Sequence, residues 1–221
     1  KELNYQGALN LANAASLKEI GIIHFSTDYV FGNNKGGINL PDDKVSPVNY
    51  YGFTKSLGER AILDNCTLGF IVRLASVYGQ FGDNFIKTIM RLILTSEEVK
   101  VVSDQKISMT SSDDLSNNIF LLIDLYEEIF LNKSTGNRII HFTNKGYTTW
   151  YKVANVVKAE MEIILNKKIS AKLLPICSSN WNSLALRPND SRLKVNFREL
   201  EKSNIFLPRW DTSVRNFVKK T

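Results

Sequence analysis

Tyr51 and Lys55 stand four residues apart in Tyr51-Gly52-Phe53-Thr54-Lys55-Ser56-Leu57-Gly58-Glu59, the only Tyr-x-x-x-Lys pair of the chain. On a helix, positions i and i+4 stack on one face, so the phenol and the ammonium point the same way. A cation beside a phenol favours the phenolate, which predicts a Tyr51 pKa below the reference of about 10. Such a phenol can hand its proton to a carbonyl oxygen as hydride arrives at carbon. Ser26 and Thr27 close the apolar run that precedes this segment, and their hydroxyls are suited to holding that oxygen. In open parallel sheets, ligands gather at the carboxyl ends of strands. The spacing alone is common on solvated helix faces. Its place, opening a helix after a strand that ends in hydroxyls, turns it toward an active site.

The surrounding elements must hold those groups in register. Leu9, Leu11, Ala12, Ala15 and Leu17 recur at helical spacing over Leu3 to Ile20, and Gly21-Ile22-Ile23-His24-Phe25 reads as a buried parallel strand. A polar stretch from Gly32 to Ser46 predicts a loop, and Pro47 opens a helix over roughly Val48 to Asn65. Further strands are expected at Gly69 to Leu74, Val99 to Val102, Arg138 to Phe142 and Ile169 to Leu174. Helices are expected at Asn84 to Thr95, from Ser112 through Phe130, and at Thr149 to Leu165. Strands alternating with helices at this spacing predict an α/β fold around a parallel sheet. From Gly146 onward Pro175, Pro188 and Pro208 punctuate shorter pieces, which predicts a smaller second lobe.

Composition narrows the chemistry. The 221 residues are 43% hydrophobic and 23% charged, close to globular averages and unlike disordered, collagenous or coiled-coil chains. Cys66 and Cys177 make no disulfide scaffold, and two histidines with two cysteines leave no zinc motif. No apolar run is long enough for a membrane span and no signal peptide opens the sequence, so a cytoplasmic, membrane-free protein is expected. The net charge is +6, from 28 Lys+Arg and 22 Asp+Glu. The cations are scattered rather than striped, which favours attraction of an anionic small molecule over nucleic-acid binding.

Ser26-Thr27-Asp28-Tyr29-Val30-Phe31, followed by Ser46-Pro47-Val48-Asn49-Tyr50-Tyr51-Gly52-Phe53-Thr54-Lys55, resembles the extended short-chain dehydrogenase/reductases, and within them the dTDP-4-dehydrorhamnose reductase family. The resemblance continues through Arg73-Leu74-Ala75-Ser76-Val77-Tyr78-Gly79, Asn84 to Leu92, Val102 to Gln105, Thr148 to Trp150, Arg187 to Leu193 and Leu207 to Trp210. It implies a Rossmann-type doubly wound parallel sheet with a smaller α/β substrate lobe. The sheet portion would comprise 1–78 and 99–143, and the nucleotide-sugar lobe 79–98 and 144–221.

By that resemblance Tyr51 is the catalytic acid, Lys55 binds the nicotinamide ribose and lowers the tyrosine pKa, and Thr27 completes the triad. Ser26, Ala75 and Val77 join Tyr51 and Lys55 on the cofactor, NADPH or NADH. Thr27, Asn84, Arg187 and Ser76 face the nucleotide-sugar. A planar guanidinium suits diphosphate oxygens, whereas Asn84 before a helix is equally suited to be its N-cap. The implied reaction is reduction of the C4 keto group of a nucleotide-linked 4-keto-6-deoxyhexose, with a homodimer and, in some members, a divalent cation. A non-catalytic dinucleotide-binding regulatory subunit and a nucleotide-sugar epimerase or dehydratase stay open as alternatives.

The sequence departs from the family pattern in three places. Ser76 stands where the family has Trp, removing a large apolar wall. Ile107 and Met109 stand where it has Gly and Pro, implying a differently shaped loop. A glycine-rich dinucleotide turn is also lacking, since Gly32, Gly36 and Gly37 fall in a polar loop. By the family's layout roughly 70 to 80 residues are expected ahead of Lys1.

Overall fold

The computed structural model describes residues 1–32, 37–131 and 138–221, so 33–36 of the expected polar loop lie outside the described residues. In chain order the helices are α1 (Ala8–Lys18), α2 (Tyr50–Asn65), α3 (Phe85–Thr95), α4 (Ser112–Asn117), α5 (Ile119–Leu131), α6 (Trp150–Ile164), α7 (Phe197–Lys202) and α8 (Trp210–Lys220). The strands are β1 (Ile22–Thr27), β2 (Gly69–Leu74), β3 (Val77–Tyr78), β4 (Glu98–Val102), β5 (Lys106–Ile107), β6 (Thr110–Ser111), β7 (Ile139–His141), β8 (Thr148–Thr149) and β9 (Lys172–Ile176). A π-helical turn, Glu2–Gly7, leads into α1, and a 3-10 turn, Asp28–Val30, follows β1. Among the described residues no helix is long and apolar enough to cross a membrane.

Two compact units divide the chain. Unit 1 comprises Lys1–Ala75, Asn118–Phe142 and Ala185–Phe206; unit 2 comprises Ser76–Asn117, Thr143–Leu184 and Leu207–Thr221. This packing cuts the chain differently from the expected 1–78 with 99–143 against 79–98 with 144–221. Residues 99–117 join unit 2 because β4 pairs in parallel with β9, from Glu98↔Lys172 to Val102↔Ile176. Residues 185–206 join unit 1, where Asn39 bridges Leu193 and the Asn39 and Lys194 amides complete the ladder.

Unit 1 is a parallel three-stranded sheet in the order β1-β2-β7. All six β2 residues are buried, as befits an apolar central strand of a parallel sheet. Ala8, Ala12 and Ala15 of α1 meet Ile62 and Cys66 of α2 and Ile71 of β2. Small residues let the two helices close together, and Gly58 takes this furthest. A Cβ there would sit 2.2 Å from the Asn4 carbonyl oxygen. Unit 2 gathers α3, α6 and α8 around Ile86, Ile89, Val153, Val157, Val214 and Phe217. Ile107 and Met109 are buried in that same core, so the residues that replace the family's Gly and Pro serve as packing groups.

Three sequence expectations shift. The last strand runs over Lys172–Ile176 rather than Ile169 to Leu174. The helix expected from Ser112 through Phe130 is two, α4 and α5. Helices α7 and α8 were not expected from the sequence pattern.

Candidate active site

Thr27 ends β1 and caps the turn after it. Its hydroxyl accepts the Tyr29 amide at 3.2 Å and donates to Asp28 Oδ1 at 3.1 Å. In register, Ser26 lies beside Arg73 and Thr27 beside Leu74 of β2, so both hydroxyl residues sit at the carboxyl end of the parallel strand. Ser26 Oγ is buried with no hydrogen-bond partner among the described residues.

Helix α2 begins at Tyr50 for local reasons. Asn49 is its N-cap, with Oδ1 accepting the Gly52 amide at 2.8 Å and Nδ2 donating to the Leu186 carbonyl at 2.9 Å. Gly52 then allows a very close approach, since a Cβ at this position would lie 1.9 Å from the Tyr29 carbonyl oxygen. The Tyr29 and Tyr51 rings meet edge-on, centroids 6.0 Å apart. One turn on, Lys55 Nζ donates to the Phe25 carbonyl at 2.7 Å. The i, i+4 pair of the sequence thus faces the carboxyl half of β1.

The expected acidification of Tyr51 by Lys55 is absent. Burial pushes the Tyr51 phenol up, the Thr27 hydroxyl pulls it back, and the Asp28 charge pushes it up again. The ammonium is engaged by Phe25, and its own pKa is lowered by burial while Glu59 raises it. Tyr51 is therefore a protonated phenol, half exposed, with a proton that it can donate. In β1, His24 is held neutral, lowered to about 4 by burial first and by the Lys55 charge second, with Glu59 opposing.

A buried frame lies behind these groups. The Arg73 guanidinium grips Glu59 in a bidentate pair at 2.9 and 2.8 Å and donates to the Pro41 carbonyl at 2.9 Å. Asp28 is 2% exposed, and burial raises its carboxyl to about 6, against the hydroxyls of Ser191 and Thr27 and the amides of Asp28 and Tyr29. Sequence reasoning carried Asp28, Tyr29, Asn49, Glu59 and Arg73 only as letters of a motif. The Asn49 cap was readable, as an Asn before a helix opening; the burial of Asp28 and the Arg73–Glu59 pairing had no local signal.

The remaining expected site residues divide between the units. In unit 1, Arg187 is exposed and its charge acts on Tyr29, and Ala75 is buried at the end of β2. In unit 2, Ser76 adopts a left-handed φ of 42°, and Val77 is half exposed in β3. Asn84 caps α3, with Oδ1 accepting the Lys87 amide at 3.1 Å and Nδ2 donating to the Gly79 carbonyl at 2.9 Å. Among the described residues no three His, Cys, Asp or Glu side chains cluster as for a metal ion.

Lys55 also offers a test of fit for a nicotinamide cofactor. An ammonium has three protons, and Phe25 engages one. The other two match the vicinal hydroxyls of a ribose. The donor set fits.

Comparison with known proteins follows the geometry. The chain matches the RmlD substrate binding domain over residues 1–221. It is 33% identical over 218 residues to a dTDP-4-dehydrorhamnose reductase of Sinorhizobium fredii, covering 98% of this chain and 71% of that protein. Among solved structures it is similar to a dTDP-4-dehydrorhamnose reductase from Bacillus anthracis in complex with NADP, with TM-score 0.82 and 30% identity over 99% of this chain and 72% of that one. A Clostridium acetobutylicum dTDP-4-dehydrorhamnose reductase gives TM-score 0.84 and 31% identity over 98% and 71%. The Rossmann-type α/β architecture is shared with these structures, and the chain belongs to the RmlD substrate binding domain family of dTDP-4-dehydrorhamnose reductases.

Proposed function

We propose that this chain carries the catalytic residues of an NAD(P)H-dependent reductase acting on the C4 keto group of dTDP-4-dehydrorhamnose and yielding dTDP-L-rhamnose. The observation that carries this reading is the convergence of Thr27, Tyr51 and Lys55 at the carboxyl end of β1 in a chain of this family. A reduced nicotinamide, when bound, would supply the hydride. Lys55 holds the ribose with the two protons that Phe25 leaves, which orients the cofactor and places a positive charge beside the site. Tyr51 gives its proton to the carbonyl oxygen, and the raised pKa keeps that proton in place until charge develops on the oxygen. Thr27 holds the same oxygen in line, so stabilisation grows as the alkoxide forms.

Ser26 and Ala75 in unit 1, and Val77 in unit 2, are proposed cofactor residues. Arg187 is the proposed diphosphate ligand, an exposed guanidinium whose charge already reaches Tyr29. For Asn84 and Ser76 the proposal as substrate residues rests on the family pattern, and one Nδ2 proton of Asn84 stays available beyond its capping bonds. A homodimer in the cytoplasm belongs to the same reading.

The test is Tyr51→Phe in the complete enzyme, followed by loss of NADPH absorbance with the 4-keto-6-deoxy sugar nucleotide supplied. Turnover is expected to fall by at least about a thousandfold while nucleotide-sugar binding persists. Wild-type turnover in Tyr51→Phe would remove Tyr51 as the acid. A tightly held NAD with no net NADPH loss in the wild type would point to an epimerase or dehydratase instead.

A further inference from the structure

The hydrogen bonds of Thr27 can be counted to completion. A hydroxyl has one proton and two acceptor sites. One acceptor site takes the Tyr29 amide at 3.2 Å, and the proton goes to Asp28 Oδ1 at 3.1 Å. A single valence is left, on the side where Tyr51 lies within reach of the Thr27 hydroxyl. When Asp28 is ionised it can only accept, so the remaining valence of Thr27 is a lone pair. When Asp28 is protonated it can donate to Thr27 instead. Both acceptor sites of Thr27 are then filled, and its own proton must turn toward the site.

We propose that Asp28 is a positioning residue that decides whether Thr27 presents a proton or a lone pair to the reacting carbonyl oxygen. The proposal rests on the reductase reading above. Only the donor state of Thr27 assists reduction, because the oxygen gains negative charge as hydride reaches carbon. Tyr51 still delivers the proton that ends on that oxygen; the Thr27 and Asp28 protons stay where they are.

The surroundings of Asp28 suit this role. It is 2% exposed, and Oδ2 has no hydrogen bond of good geometry, although the Ser191 hydroxyl is near enough to favour the charge. Among the described residues no cation compensates it, and its carboxyl titrates at about 6. The groups that face it are Tyr29 on its own turn and Tyr51 on α2, both raised above the ordinary phenol value, while Arg187 acts on Tyr29 and keeps a constant charge. His24 and His141, at about 4 and about 3, titrate below this window. Of these groups only Asp28 titrates in the middle of the pH range.

The experiment follows kcat and KM of the complete enzyme from mildly acidic to mildly basic pH in the wild type, Asp28→Asn, Thr27→Val and Thr27→Ser. In the wild type kcat falls on the order of tenfold as pH rises through the Asp28 titration, the effect of one charge-assisted hydrogen bond, with little change in KM. The inflection persists in Thr27→Ser and disappears in Asp28→Asn and Thr27→Val. Its survival in Thr27→Val overturns the proposal. A readout independent of turnover is the 13C carboxyl resonance of Asp28, whose pKa rises in Thr27→Val because the ionised form loses a donor. An unchanged titration there also overturns the proposal, even if the enzyme reduces a different substrate or Asp28→Asn fails to fold.

Discussion

Arg73 is the largest fully buried side chain of the described chain, and its surroundings explain how a charge is tolerated there. Nε and Nη2 bind the two oxygens of Glu59, Nη1 binds the Pro41 carbonyl, and the guanidinium lies 4.9 Å from the centre of the Phe31 ring. A buried charge is acceptable only when paired and fully hydrogen-bonded. The pair joins β2 to α2 one turn beyond Lys55, and the Glu59 charge opposes the burial that lowers the pKa values of Lys55 and His24. Arg73→Met leaves Glu59 buried and alone, so a stability loss of about 3–5 kcal/mol is expected in urea unfolding. Arg73→Met with Glu59→Met removes both charges and is expected to lose less than Arg73→Met alone. A double variant worse than the single would show that the pair itself, and not the stranded carboxylate, carries the stability.

Helix α2 presents Tyr51 and Lys55, and its seating depends on backbone approach more than on side chains. The N-cap at Asn49 fixes where the helix begins, and Gly52 lets its first turn rest against the Tyr29 carbonyl. Gly52→Ala forces that turn away from β1, because a Cβ would overlap backbone that has no rotamer to escape into. A displacement near an ångström at a proton donor is worth roughly a hundredfold in rate. The expected result for Gly52→Ala is a kcat loss of that order with the far-ultraviolet circular dichroism of the fold retained; full activity would separate Tyr51 geometry from this contact. The helix and β1 were legible in the sequence because their signals are local: an apolar run ending in hydroxyls, then Pro47 and an i, i+4 pair. Helix α8 was not, since Trp210 to Lys220 is broken by charges and its apolar face, Val214, Phe217 and Val218, is recognised only against the α6 core. The direction of the Tyr51 pKa shift departs from the sequence expectation for a related reason: proximity to Lys55 was legible, but the burial that raises the phenol and the Phe25 carbonyl that engages the ammonium are products of tertiary packing.

Across the whole molecule the proton balance of buried groups sets how stability depends on pH. The net charge of +6 suits an anionic nucleotide diphosphate, yet stability is governed by the few groups whose pKa changes on folding. His24 and His141 fall from 6.5 to about 4 and about 3, each chiefly through burial, with Lys55 and Arg73 respectively adding to it. The unfolded chain therefore binds two more protons at these sites around pH 5, and stability from them is complete above 6.5 and lost as pH falls. Asp28 works in the opposite sense. Raised from 3.8 to about 6, it binds its proton in the folded state, and its contribution falls as pH rises through that window. Two protons against one leave a net of about one, so stability is expected to rise by ~1.4 kcal/mol per pH unit between about pH 4.5 and 5.5. Asp28→Asn removes the opposing group, and its slope over the same interval is expected to be about twice that of the wild type. Urea midpoints across this range decide the matter: equal slopes in the two proteins would mean that Asp28 keeps an ordinary carboxylate pKa in the folded chain.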